Sequence, residues 1–182
     1  MNTFAITDSP AGNKASPESK PLALNYLLLD SPIGTLRLWS NGRQLVQIEF
    51  GDRKAVPEGA RQQGDAVLQS AGEHLEVYFG GKRRLVDLPL APQGTDFQQS
   101  VWRALAEIPW GQWRSYADIA RAISRPRAVR AVEAANGRNP LPIVVPCHRV
   151  VGSDGSLTGF AGGLEMKRYL LELEGSLRHL KA

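Results

Sequence analysis

The chain has 182 residues, 42% of them hydrophobic, and a formal net charge of +4. That length suits one compact domain or two small ones, and the absence of any apolar run of about 18 residues argues against a membrane-spanning helix. The single cysteine excludes an intramolecular disulfide and any zinc site built from two or four cysteines, and a free thiol fits a reducing, cytoplasmic compartment.

Residues 1–21 lack the apolar segment of a signal peptide and carry Ser9-Pro10 and Ser16-Pro17, so a disordered tail is expected. Residues 22–91 read as a small mixed α/β domain. Leu24 to Leu29 and Thr35 to Trp39 read as strands. Asn41-Gly42 is a hairpin signal, and Leu45 to Phe50 alternates with period two. A polar stretch to about Gly64 reads as loop. Ala66 to Phe79 has helical spacing, with Val67, Ala71, Leu75 and Tyr78 on one face and His74 at the surface or boundary. Leu85 to Leu90 reads as a last strand. No chemistry is apparent in this half.

Residues 92–182 read as a second, helical domain. Thr95 and Gln98 form a capping box ahead of Phe97, Val101, Leu105 and Ile108, and Pro109 ends that helix. Ser115 caps the next helix, which runs to about Ile123. Pro126 sits near the start of another, which stops at Asn136-Gly137. Two short helices with a three- or four-residue turn make a helix-turn-helix. On the second helix Arg127, Arg130 and Ala134 share a basic, small face, while Val129 and Val132 face a core.

Charge is distributed unevenly. Residues 1–96 carry ten basic and eleven acidic side chains, and residues 97–182 carry twelve and seven. Seven arginines lie between Arg114 and Arg149 with only Asp118 and Glu133 against them, a field that attracts phosphate backbones. A solvated basic surface has the same composition.

The lone cysteine stands in Pro146-Cys147-His148-Arg149-Val150, after the apolar run Leu141 to Val145. A lone cysteine is most often a buried structural residue. Here an imidazole adjoins it, and thiolate, the reactive form, is favoured by a neighbouring acid–base group or positive field. Adjacent residues of an extended chain face opposite ways, so contact between Cys147 and His148 needs a turn, which Pro146 makes plausible.

The segment Val144 to Gly152 closely resembles the acceptor site of the O6-alkylguanine-DNA alkyltransferases. Ser115-Tyr116, Arg130-Ala131-Val132, Asn139-Pro140, Gly159-Phe160-Ala161-Gly162-Gly163 and Leu170 to Gly175 match further family elements in order. The resemblance implies an α+β fold: a small N-terminal mixed α/β, ribonuclease H-like domain followed by a C-terminal helical, winged helix-turn-helix domain. It implies direct reversal of DNA damage, with the alkyl group of O6-alkylguanine, and of O4-alkylthymine, passing irreversibly and stoichiometrically to Cys147.

Residue by residue, it implies that His148 acts as base through a water, that Glu174 orients it, and that Asn139 joins the helix-turn-helix to the active-site turn. Tyr116 would help displace the phosphate and assist proton transfer. The target nucleotide must leave the stack. Arg130 would enter the gap, and Arg127, Ala128 and Ala131 would line the DNA face; Arg138 departs from the family pattern, where small residues also occur, and would add a phosphate contact. Phe160, Ala161, Gly162, Val150 and Val145 would wall the base pocket. Phe160 stands where some relatives have tyrosine, which keeps ring stacking and loses a phenol hydrogen bond. No cofactor and no metal are implied. The partner is alkylated double-stranded DNA, bound by a monomer, with cooperative assembly on DNA left open. Three other readings compete: a lesion-binding relative without transfer, which Cys147 argues against; a cysteine hydrolase using Cys147, His148 and Glu174; and a plain winged-helix regulator.

Overall fold

The computed structural model describes residues 23–52, 54–82, 88–177 and 180. The tail expected over residues 1–21 lies outside the described residues. Three antiparallel strands, β1 (Asn25–Leu29), β2 (Leu36–Ser40) and β3 (Leu45–Phe50), form a meander. Leu27 pairs with Leu38, and Leu38 with Ile48, in register. The hairpin expected at Asn41-Gly42 is present. Its connection is four residues long, with Gly42 at φ 85° and the Asn41 side chain accepting from the amides of Arg43 and Gln44 at 3.0 and 2.8 Å.

The polar stretch expected to be loop holds a short strand, β4 (Arg61–Gln62), parallel to β1. Both of its side chains are exposed, so no apolar alternation announces it. Helix α1 (Ala66–Phe79) is capped by the Asp65 side chain, which accepts from the Leu68 amide. Its buried stripe is Leu68, Ala71, Leu75 and Tyr78; Val67, expected there, is half-buried. His74 is buried rather than at the surface, because it lies between Ala71 and Tyr78 within a stripe more than one residue wide. Of the strand expected over residues 85–90, residues 85–87 lie outside the described residues. Leu88 and Leu90 are buried, and Leu90 makes an isolated parallel bridge to Leu45.

Helix α2 (Asp96–Ala106) begins with the expected capping box, Thr95 and Gln98 satisfying each other's backbone amides. Helix α3 (Tyr116–Ala122) repeats the device with Ser115 and Asp118. Helix α4 (Val129–Gly137) completes the helix-turn-helix, but six residues separate the two helices where three or four are expected. The reason is how α3 ends. Ser124 adopts φ 59°, its amide donates to Arg121 O at 2.9 Å, and the Arg125 amide donates to Ala120 O at 2.8 Å, a Schellman stop. Pro126 therefore belongs to the stop of α3 and not to the start of α4. Arg127 lies in the turn, and Ala128 caps α4 without a side-chain bond. Gly137 ends α4 as expected, though without a left-handed φ.

A one-turn 3-10 helix (Cys147–Arg149) leads into β6 (Val150–Val151), which pairs in parallel with β5 (Arg114–Ser115). Helix α5 (Leu164–Leu173) follows. The halves share one core. Edge strand β3 gives its Leu45 amide to Pro89 O and its Ile48 amide to Pro140 O, both at 2.8 Å. The sheet edge is thus covered by the chain that leads to the cysteine. The architecture is the expected α+β.

Candidate active site

The segment from Leu141 to Val151 is buried throughout. Asn139 holds its first turn from both sides: the side-chain amide donates to Val145 O at 2.8 Å and its oxygen accepts from the Leu141 amide at 3.0 Å. Ile143 sits at φ 73° inside that turn. A left-handed β-branched residue persists only where its surroundings over-determine it. Pro146 then starts the 3-10 turn, closed by Arg149 N donating to Pro146 O at 3.0 Å. This is the turn that an adjacent cysteine and histidine require.

Cys147 is the chain's free thiol and is 4% exposed. Burial pushes its pKa up to about 11, against the opposing pull of a hydrogen bond from Asn139 and the charge of Lys167. His148 is fully buried, and burial lowers its pKa below the ordinary value. Its Nε2 lies 2.8 Å from Glu174 Oε1. Burial works against the Glu174 carboxylate, yet the His148 ring and the Arg149 guanidinium hold its pKa down at about 2. An ionised carboxylate only accepts, so the His148 proton resides on Nε2. Nδ1 has no hydrogen-bond partner among the described residues, which leaves its lone pair free as a base.

Sequence reading missed three site residues. Arg149 clamps Glu174 with Nε to Oε2 at 2.8 Å and Nη2 to Oε1 at 2.9 Å, and its third donor reaches Ile108 O. The bidentate fork is the strong form of this contact. Tyr78 reaches the same carboxylate from α1, Oη to Oε1 at 2.8 Å. Lys167 is buried on α5, with Nζ 2.6 Å from both Val150 O and Thr158 O, and burial lowers its pKa to about 8. Lys167 was detectable: it shares a helical stripe with Leu170 and Leu171, a position at which lysine is out of place.

Tyr116 is buried at the start of α3, its hydroxyl donating to Thr158 O at 3.3 Å. Burial raises its pKa, which keeps the phenol protonated. The wall segment is open: Phe160 and Gly162 are half-buried and Ala161 exposed, with the Phe160 ring 5.5 Å from that of Phe50. Val145 and Val150 are buried on the side of the cysteine. On the helix-turn-helix, Arg127, Arg130, Ala131 and Arg138 are exposed and Ala128 half-buried. None of these three arginines has an ion-pair partner among the described residues. Val132 anchors α4 in the core, and Trp102 on α2 donates its ring N–H to Ala135 O at 2.9 Å.

A buried thiol, a histidine–carboxylate pair beside it in the chain and a basic helix-turn-helix in the same core point to the class of DNA-binding proteins that react through a cysteine. The family model "6-O-methylguanine DNA methyltransferase, ribonuclease-like domain" matches residues 24–92, and its companion "6-O-methylguanine DNA methyltransferase, DNA binding domain" matches residues 96–176. A methylated-DNA–protein-cysteine methyltransferase of Methanosarcina barkeri is 48% identical over 151 residues, covering 82% of this chain and 96% of that protein. A protein of the same description from Mycobacterium tuberculosis is 46% identical over 154 residues, covering 84% and 93%. The Mycobacterium tuberculosis OGT solved in complex with DNA superposes with a TM-score of 0.78 at 45% identity, covering 84% of this chain and 94% of that one. The chain belongs to the O6-methylguanine DNA methyltransferase family. Its activity is the one for which that family is named, direct repair of O6-methylguanine in DNA by transfer of the methyl group to a cysteine of the protein.

Proposed function

We propose that Cys147 is the alkyl acceptor, and the observation that carries this is the burial of the sole thiol in one 3-10 turn with His148, an imidazole whose Nδ1 has no partner among the described residues and whose Nε2 lies 2.8 Å from Glu174 Oε1. In the reaction the Cys147 thiol loses its proton to His148 Nδ1 through a bridging water. Sulfur forms a bond to the alkyl carbon, and the bond from that carbon to guanine O6 breaks. The electron pair goes to the base, which takes up a proton. Tyr116 donates that proton to the base and regains one from solvent, while His148 gives up the thiol proton to solvent, so that in net one proton leaves the thiol and one is gained by guanine. The thioether has no easy route back, so each molecule turns over once, without a cofactor or metal.

A stacked base cannot reach a thiol this buried, so the nucleotide leaves the duplex. The exposed face of α4 presents Arg130 to fill the gap, with Arg127, Ala128, Ala131 and Arg138 against the backbone. Gly159 to Gly163, Val145 and Val150 form the pocket, and Phe160 stacks on the base. The same pocket accepts O4-alkylthymine. We assign residues 22–91 to a supporting domain and residues 92–182 to the domain that binds DNA and accepts the alkyl group. A cytoplasmic monomer acting on double-stranded DNA fits the free thiol.

Mass spectrometry after incubation with duplex DNA containing one O6-methylguanine tests the assignment. The expected result is one added methyl per protein, mapped to Cys147, and a Cys147→Ser protein that binds DNA without transfer. Methylation at another residue, or repeated turnover, would refute it.

A further inference from the structure

We propose that Tyr78, carried by the N-terminal helix α1, is a positioning residue for alkyl transfer: its hydroxyl fixes the Glu174 carboxylate so that His148 stays neutral, with its proton on Nε2 and Nδ1 free. The inference rests on the His148–Glu174 reading above and adds to it a contribution from the half of the chain in which sequence gives no sign of chemistry.

The hydroxyl is not explained by packing. Tyr78 lies on the apolar stripe of α1 with Leu68, Ala71 and Leu75, and its ring is held edge-on by Phe79 and Trp110 at 5.4 and 5.2 Å between centroids. A phenylalanine would fill the same space. A buried phenol needs a partner for its O–H, and this one donates to Glu174 Oε1 at 2.8 Å while lying 3.4 Å from His148 Nε2. Oε1 thereby accepts from Tyr78, His148 and Arg149, and Oε2 accepts from Arg149. With these contacts in place the carboxylate cannot rotate away from the imidazole.

The fourth donor also sets basicity. A carboxylate charge shared among several hydrogen bonds attracts a proton less strongly, so Glu174 orients the imidazole without drawing it into the cationic form. The groups facing this cluster are Glu174, Arg149 and Tyr169 around the Tyr78 hydroxyl, and Glu174, Arg149 and Lys167 around His148. Burial, then the Glu174 charge, raise the Tyr78 pKa well above its ordinary value, so the hydroxyl remains a donor throughout the working range.

Tyr78→Phe removes the hydroxyl and keeps the ring. Glu174 then stabilises the imidazolium better, the His148 pKa rises, and less neutral base is present at a given pH. The expected result is a transfer rate about tenfold lower at neutral pH, an acid limb of the pH–rate profile displaced upward, and unchanged affinity for DNA. In 15N-histidine NMR the His148 ring should titrate at higher pH in the variant. A loss of packing alone would lower thermal stability without moving either titration. A Y78F protein with the wild-type profile and the wild-type His148 titration would overturn the proposal. So would a wild-type His148 ring that is already cationic at neutral pH, a reading that needs no variant. Glu174→Gln separates this proposal from its foundation. If E174Q leaves the acid limb in place, the relay itself fails; if E174Q moves it and Y78F does not, only the role of Tyr78 fails.

Discussion

Cys147 is a buried thiol held in its protonated form. Burial lifts its pKa to about 11 from an ordinary 9.0. At neutral pH the folded protein thus holds about a hundredth of the thiolate of an unfolded chain. Iodoacetamide should modify native protein about 100-fold more slowly than urea-unfolded protein at pH 7.5, and the native rate should climb about tenfold per pH unit towards pH 9.5. Equal rates, read by mass, would show an accessible thiol with an ordinary pKa and contradict the buried, protonated thiol. Asn139 and Lys167 are the counterweights: both act on the sulfur, and both also tie down the backbone beside it. On the mechanism we propose, reactivity is left to the moment when a substrate occupies the pocket and His148 takes the proton.

At the scale of elements, α4 exposes Arg130, Ala131, Glu133 and Ala134 and buries Val132, Ala135 and Asn136. Arg130→Ala should slow repair of duplex DNA by at least tenfold while changing reaction with free O6-benzylguanine little, because only the duplex must be opened. Equal losses on the two substrates would contradict the wedge role. The caps of α2 and α3 were legible because Thr95–Gln98 and Ser115–Asp118 act within four residues of sequence. The end of α3 was not, since its left-handed residue is Ser124 and not the glycine that usually marks a Schellman stop. Strand β4 was hidden because backbone pairing without buried side chains leaves no pattern. Within the site, Cys147 and His148 are adjacent in sequence and could be read. Tyr78 meets Glu174 across 96 positions, so its hydroxyl became meaningful only once α1 and the end of α5 were seen together.

At the scale of the whole molecule, the buried site makes stability depend on pH. Glu174 has its pKa lowered from 4.5 to about 2, so its contribution is present above the unfolded value and is lost as pH falls through the folded one. Between these limits the unfolded chain binds more protons, and the loss is on the order of 3 kcal/mol. His148, also lowered, adds to the loss below its ordinary 6.5. Urea unfolding at pH 7, 5 and 3 should show stability falling throughout, with Glu174→Gln removing most of the slope below pH 4.5. A flat profile in the parent protein would mean that the carboxylate is not held ionised.

The solitary, enclosed sulfhydryl makes each molecule its own ledger. A thiol reagent added after denaturation counts the molecules that have not yet reacted, and no second cysteine blurs the tally. Subtracting that count from total protein gives the number of lesions removed, without a labelled substrate. Because the folded thiol is shielded, the count can be taken after repair has stopped. In a cell the same arithmetic sets a ceiling: repair capacity equals the number of chains made, and recovery after damage proceeds at the rate of synthesis.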